Sequence, residues 1–128
     1  MQTYNQKSFD KTNFMASSSS LMEVSIQNCL DCYQSCTQLA AHCVRKGGSM
    51  ADPFHLAILN DCASICSVAA DFMIRRSEYY YATCEIGAEI CRSCAEDCES
   101  MADDDVARKC AEFCRKAATS CLEMARHH

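Results

Sequence analysis

The stretch CLDCYQSC at residues 29–36 has the same cysteine spacing as the stretch CRSCAEDC at residues 91–98. In both stretches the cysteines step by three and then by four residues, the intervals that return a side chain to one face of an α-helix. The chain of 128 residues carries 13 cysteines, and neighbours within a cluster stand 3, 4 or 7 positions apart. The clusters are Cys29, Cys32, Cys36 and Cys43; Cys62 and Cys66; Cys84, Cys91, Cys94 and Cys98; and Cys110, Cys114 and Cys121. This spacing predicts four helices, each with a stripe of sulfur where a helical bundle normally carries leucine.

Capping signals predict where these helices begin and end. Residues 20–23 (SLME) form a capping box ahead of the first helix, and the glycines at 47–48 allow the left-handed cap that ends it. Residues 52–53 (DP) supply an N-cap and a first helical proline. Residues 77–78 (SE) supply a further cap, and the aspartates at 103–105 suit the positive N-terminus of a last helix. The expected helices cover about residues 20–46, 53–76, 79–102 and 103–126.

The connections between these helices are only a few residues long, so neighbouring helices should run antiparallel. The sequence therefore predicts an all-α fold, an antiparallel up-down-up-down four-helix bundle with a cysteine-lined core. We expect a single bundle domain over residues 20–128, preceded by an N-terminal arm or short helix over residues 1–19. Met22, Met73 and Met124 extend the cysteine stripes of their helices.

Composition and charge exclude several classes of function. A net charge of −5 with scattered signs argues against a nucleic-acid partner, which requires a basic stripe. No apolar run approaches the length of a membrane span, so we expect no membrane partner. Neither a phosphate-binding glycine loop nor a nucleophile with its base is visible, so we expect that the protein is not an enzyme.

The N-terminal sequence bears on the compartment. The first twenty residues are polar and lack the apolar core of a secretory signal. The Arg-Arg pair at residues 75–76 lies too far along the chain to be a twin-arginine export signal. We therefore expect a cytoplasmic protein, or an exported one if a signal peptide had been removed.

A disulfide framework is the first alternative role for the cysteines. Side chains at i and i+4 of a helix have Cβ atoms about 5–6 Å apart, whereas a disulfide needs roughly 3.5–4.5 Å. Pairs such as Cys32/Cys36 therefore cannot close within a helix, although disulfides between helices remain open. As core residues alone, 13 thiols would leave the bundle short of apolar volume, because each replaces a larger aliphatic side chain.

Structural zinc and thiol redox chemistry are further alternatives. The pairs Cys29/Cys32 and Cys91/Cys94 have zinc-like spacing, but zinc needs four converging ligands and keeps two negative charges when all are thiolates. Iron–sulfur ligation meets the same difficulty with charge. A redox-active Cys-x2-Cys motif normally lies in a βαβ unit, which this sequence does not predict.

A soft monovalent ion resolves the charge problem. Cu(I) prefers thiolate and thioether ligands, and one Cu(I) per thiolate makes the core neutral. A Cys-x3-Cys pair within one helix already satisfies a two-coordinate ion. The cysteines of the first helix span roughly 21 Å at about 1.5 Å per residue, a length suited to many ions rather than to one catalytic centre.

The repeated Cys-x2-Cys-x3-Cys and Cys-x3-Cys motifs on four successive helices, over about residues 20–126, resemble the bacterial cysteine-rich four-helix-bundle copper storage proteins. The resemblance implies that all the cysteines point inward and bind many Cu(I) ions, mostly as bis-thiolates, for storage or sequestration rather than catalysis. It also implies a homo-oligomer, a tetramer, and a copper chaperone or copper-requiring enzyme as recipient. A thiol-redox or structural zinc-binding bundle without a copper store stays open as the alternative.

The predicted topology places the first and third connections at the same end of the bundle. That end carries His42, Met50, His55 and Met101. The resemblance implies that this end is the mouth for copper entry, with imidazole and thioether groups as weaker ligands for Cu(I). The other interpretation is that His55 simply occupies the first turns of its helix and Met50 a loop.

The opposite end carries a run of three tyrosines at residues 79–81. We expect these side chains to close that end or to form a subunit contact rather than to bind metal. The last two residues, His127 and His128, are expected to be a frayed tail.

Overall fold

The fold consists of four long α-helices joined by short connections. A computed structural model describes residues 9–127, with side chains from residue 20 onward. The elements are α1 (Phe9–Lys46), a 3-10 helix (Gly48–Ala51), α2 (Pro53–Ile74), α3 (Tyr80–Glu99) and α4 (Asp105–Arg126). The described residues contain no strand, and the predicted all-α class is confirmed.

Helix α1 already includes Phe9, the first residue that the structure describes, so the predicted start at Ser20 is wrong. The serine run at residues 17–20 lies inside the helix rather than ahead of it. Serine costs less than about 0.7 kcal/mol in a helix interior, and no glycine or proline interrupts residues 9–46. Residues 1–8 lie outside the described part of the chain, and the division between an N-terminal segment (residues 1–19) and a bundle domain stays a prediction.

Most other helix ends lie where the capping signals predict them. Gly47 and Gly48 have φ angles of 73° and 61°, left-handed values that glycine adopts at little cost and that end α1. Pro53 is the first residue of α2. The carboxylate of Asp104 accepts hydrogen bonds from two backbone amides in the first turn of α4, at 2.9 and 3.0 Å, and so stabilises that end.

Two predicted caps differ in detail. Asp52 precedes α2, but its side chain makes no capping hydrogen bond. The Ser77 hydroxyl accepts a hydrogen bond from the backbone N–H of Tyr79 at 3.1 Å, and α3 begins only at the next residue. Helix α3 ends at Glu99, before the predicted end at about residue 102, and a non-helical turn follows it.

The four helices close a ring around one core. Each helix packs against the one that follows it in the chain, and α1 also packs against α4, as an up-down-up-down bundle requires. Leu39, Leu59 and Met73 are the largest fully buried side chains, and cysteine and alanine fill most of the remaining core. Sulfur therefore lies along the axis that hydrocarbon would occupy in an ordinary bundle.

Helix α2 is long and apolar enough to cross a membrane by length and composition alone. An uninterrupted apolar run of that length is not present, because Asn60, Asp61 and Asp71 lie within this helix. Eight of its residues are buried inside the bundle, and a core helix of this composition meets the same criterion. Its apolar character follows from its place in the core.

Candidate metal centre

All 13 cysteines are buried free thiols. Their side chains are 0–1% exposed, so the four sulfur stripes of the sequence meet along a single axis. The predicted inward placement is thereby found at every cysteine. Metal ligation by each of them stays a prediction.

The middle of this axis is a continuous network of thiols. The Cys32 Sγ atom lies 3.9 Å from the Cys36 Sγ atom of the same helix. It also lies 3.7 Å from the Sγ atoms of Cys62 on α2 and Cys114 on α4. Helix α3 joins through Cys94, whose Sγ atom is 3.9 Å from that of Cys36. Ions bound between these sulfurs would connect all four helices.

Two of the Cys-x3-Cys pairs have both sulfurs in contact within their own helix. The Sγ atoms of Cys32 and Cys36 are 3.9 Å apart, and those of Cys110 and Cys114 are 4.0 Å apart. A two-coordinate ion can therefore find both ligands on one helix, as the spacing predicts.

The network also contains groups of four thiols whose sulfurs all lie within 4.8 Å of one another. One group is Cys32, Cys62, Cys66 and Cys91; the other is Cys32, Cys36, Cys62 and Cys114. Cys32 and Cys62 belong to both groups. Thiols on separate helices therefore do converge in sets of four, as a zinc site requires, because the antiparallel packing brings three helices to one level in each group.

The end of the sulfur axis opposite the first and third connections is formed by Cys29, Cys84 and Cys121, here called the terminal thiol layer. The Sγ atoms of Cys29 and Cys121 are 3.4 Å apart. The neighbouring level is linked in the same way, with 3.4 Å between the Sγ atoms of Cys66 and Cys91. Close sulfur contacts thus occur in the terminal thiol layer, at the neighbouring level and through the middle of the axis.

Hydrogen bonds among these thiols lower the pKa of some of them and raise the pKa of others. The contact with Cys114 lowers the pKa of Cys32 to about 2 and that of Cys94 to about 7. The pKa of Cys114 itself is raised, first by its hydrogen bond with Cys110. A thiol that donates to a neighbouring thiolate stabilises that charge and retains its own proton. A dry core of this kind holds only a few thiolates unless cations accompany them.

At the end near the first and third connections, a thiol contacts an imidazole. The Cys43 Sγ atom lies 3.2 Å from the His55 Nε2 atom, and the His55 Nδ1 atom bonds to a carboxylate oxygen of Asp97. Because Nδ1–H donates to Asp97, Nε2 presents its lone pair toward Cys43. Burial raises the pKa of Cys43, and the carboxylates of Asp104 and Asp97 raise it further.

This end also contains an open cavity of about 410 Å³. It is lined by Ser49, Asp52, His55, Asp97, Ser100 and Met101. The structure therefore brings His55 and Met101 to one opening beside the buried Cys43. Met50 lies in the 3-10 helix and packs against the core from there.

His42 lies at the same end but faces a different partner. Its Nε2 atom is 2.9 Å from the Oδ2 atom of Asp104, whose other oxygen caps α4. The pKa of Asp104 is lowered by this contact with His42 and by the amides it caps. Only the Nδ1 atom of His42 is left for a metal ion in this arrangement.

Asp97 and Asp104 are the functional residues that the sequence did not reveal. In the sequence, Asp104 is one of three aspartates that suit the positive N-terminus of the last helix, and Asp97 is one of many acidic residues, between two cysteines of the 91–98 motif. Their proximity to His55 and His42 depends on how α1, α2 and the α3–α4 connection meet. No local spacing encodes that proximity.

The tyrosine end differs from the mouth in having no imidazole facing the thiols among the described residues. Tyr80 is partly buried against the core, and its hydroxyl donates to the backbone oxygen of His127 at 3.4 Å. Tyr79 is 59% exposed. A closing role for these tyrosines stays a prediction.

Fold and site together define a cysteine-lined four-helix bundle that presents many soft sulfur ligands in a dry core. Residues 18–126 match the family model described as copper storage protein. The chain belongs to the copper storage protein family.

Solved structures with the same fold support this assignment. A protein from Nitrosospira multiformis is 32% identical, with a TM-score of 0.80 and coverage of 86% of this chain and 99% of that chain. The Cu(I)-bound copper storage protein of Bacillus subtilis is 28% identical, with a TM-score of 0.77 and coverage of 82% and 98%. A cytosolic copper storage protein of Streptomyces lividans, solved with five coppers, is 26% identical, with a TM-score of 0.76 and coverage of 88% and 98%. No curated protein sequence is significantly similar to this chain.

Proposed function

We propose that this chain stores Cu(I) on its 13 inward-facing cysteine thiolates. The observation that carries the proposal is the line of buried sulfurs, in which ten Sγ atoms lie within 3.4–4.0 Å of another Sγ atom. Such a line offers successive pairs of thiolates to two-coordinate ions, and no single position stands out as one catalytic centre. The resolved complexes of relatives with Cu(I), including one loaded with ten copper equivalents, support the same cargo.

Charge balance favours Cu(I) over a divalent ion. One Cu(I) per thiolate gives a neutral core, whereas a tetrathiolate zinc site keeps two negative charges in a region without water. The two four-thiol groups supply zinc-like ligand sets, but they share Cys32 and Cys62. Two zinc ions therefore cannot each take a full set, and most of the remaining thiols would bind nothing.

Anaerobic titration with Cu(I), followed by desalting and metal analysis, tests the proposal. We expect a plateau near the number of cysteines, because each added ion replaces one thiol proton and leaves the core neutral. A plateau at one or two ions per chain would exclude storage and favour the structural or redox alternative.

Competition between equimolar Zn²⁺ and Cu(I) tests the choice of ion. We expect the desalted protein to retain copper with little zinc. Retention of mostly zinc would overturn the assignment of the cargo and leave the bundle intact.

We propose that copper enters at the end that carries His55 and Met101. The cavity there opens beside Cys43, whose buried thiol contacts His55. Imidazole and thioether can hold an arriving ion and pass it to Cys43, the first thiolate of the axis. Met50 and His42 lie at the same end and would act in capture before the ion reaches the cavity.

The wider role follows from storage. We propose that the protein performs no catalysis and exchanges copper with a chaperone or a copper-requiring enzyme. We further propose a cytoplasmic location, which a cytosolic relative supports, and a tetrameric assembly. Size-exclusion chromatography with light scattering tests the assembly, and a monomer at micromolar concentration would exclude it.

A further inference from the structure

Three of the seven methionines lie together at the end of the bundle opposite the mouth. Met22, Met73 and Met124 come from α1, α2 and α4 and are 8%, 0% and 5% exposed. Each stands three or seven positions beyond the last cysteine of its own stripe, so each continues the inward face of its helix. These residues, here called the methionine layer, therefore lie next to the terminal thiol layer.

A buried hydroxyl in this region has no partner. Ser25 is 0% exposed, and its Oγ atom makes no hydrogen bond in the described part of the chain. The Ser25 hydroxyl lies near the thiol of Cys121. A buried polar group without a partner calls for an explanation. A Cys121 thiolate would supply the missing acceptor.

We propose that the methionine layer and Cys121 form a further Cu(I) site at the closed end of the axis, an inference that rests on the proposed copper store. The Cys121 thiol releases its proton to solvent as its sulfur bonds to Cu(I), and the thioethers of the methionine layer bind the same ion without releasing protons. The ion stays Cu(I), and the site is neutral overall. The Ser25 hydroxyl donates to the thiolate sulfur.

The chemistry of this site makes it weaker than the thiolate pairs. Thioether sulfur is a soft but neutral ligand, so a single thiolate provides all of the charge attraction for the ion. The Arg76 Nη1 atom lies 2.5 Å from the Met22 Sδ atom, which places a positive charge beside the site. We therefore expect this ion to load last and to be the first that a chelator removes from this end.

Ordinary core packing is the competing explanation, because methionine fills irregular gaps in many proteins. Protein labelled with ¹³C at the methionine methyl groups separates the two explanations by NMR during anaerobic Cu(I) titration. We expect the methyl signals of the methionine layer to move in the final equivalents, together with the last increase in thiolate–copper absorbance. Signals that stay constant over those equivalents would overturn the inference.

A triple variant, Met22→Leu, Met73→Leu and Met124→Leu, tests capacity, because leucine keeps the buried volume and removes the sulfur. We expect it to bind about one Cu(I) less per chain and to lose the ion that a chelator removes first. The double variant Leu39→Ile, Leu59→Ile controls for altered packing at buried positions without sulfur and should keep the full plateau.

The outcomes also separate this inference from the proposed function. If wild-type protein retains no copper after desalting, the store itself is excluded. If wild type loads fully and the triple variant has the same plateau and the same release, only the methionine site is excluded. If the triple variant does not fold, the methyl signals of wild-type protein decide the question.

Discussion

Asp97 orients the imidazole at the mouth, and its replacement by asparagine tests the proposed entry route. The Asp97 carboxylate accepts the Nδ1–H of His55, which leaves Nε2 facing Cys43 at 3.2 Å. Asparagine keeps the size of the side chain but removes the negative charge that holds this ring in its orientation. The Cys43–His55 pair should then hold Cu(I) less tightly.

The size of the effect follows from the exposure of the two partners. Loss of a carboxylate that supports a metal-binding histidine typically costs about 10–100-fold in affinity. His55 is only 6% exposed, but Asp97 is 35% exposed, so solvent screens part of the interaction. We therefore expect a loss of copper affinity at the lower limit of this range, about tenfold, which corresponds to about 1.4 kcal/mol at this site.

In the assay, a strong chelator removes copper from fully loaded protein, and anaerobic stopped-flow absorbance monitors the rate of release. We expect Asp97→Asn to release its outermost ion about tenfold faster with the total plateau unchanged, because the deeper thiolates are untouched. Asp103→Asn is the matched control, since it removes the same charge from an exposed position at the same end. Equal release from the two variants would refute the role of Asp97 in copper binding.

Three further variants test other parts of the site. Asp104→Ala should lower the unfolding free energy of the copper-free protein by about 1–2 kcal/mol in urea denaturation, because a helix cap is lost. The pKa of Asp104 is lowered in the folded state, so this contribution is present above about pH 4 and is lost as the pH falls further, where variant and wild type should converge. The double change His42→Ala, His55→Ala should leave the Cu(I) plateau nearly intact and alter the rate of removal by a chelator; identical rates would show that copper leaves elsewhere. Cys62→Ser removes a thiol common to both four-thiol groups and should lower the plateau in metal analysis by at least one ion, and an unchanged plateau would argue against ligation there.

The fold follows from local signals because the sulfur stripes have helical periodicity and the connections carry glycine, proline and aspartate at suitable positions. Gly47 and Gly48 mark a true helix end. The start of α1 could not be predicted from local signals. A serine run resembles a helix cap in the local sequence, yet it weakens a helix only slightly. The helix continues through the serines because no glycine or proline interrupts residues 9 to 46.

The inward placement of the cysteines was predictable for the same reason, since each lies on one face of its helix. The contacts between stripes were not predictable, because they depend on the heights at which the helices pack. Cys36 meets Cys94, whereas the terminal thiol layer joins residues from three separate clusters. The pairing of His42 with Asp104 and of His55 with Asp97 likewise arises only from tertiary packing.

The central claim is that many Cu(I) ions lie along the bundle axis between cysteine sulfurs. A crystal structure of the anaerobically loaded protein, with anomalous diffraction measured at the copper absorption edge, tests it most directly. We expect a row of copper peaks along the axis from Cys43 to Cys121, each peak bounded by two or more cysteine Sγ atoms. A single copper peak, or peaks confined to surface histidines with an axis free of metal, would contradict it.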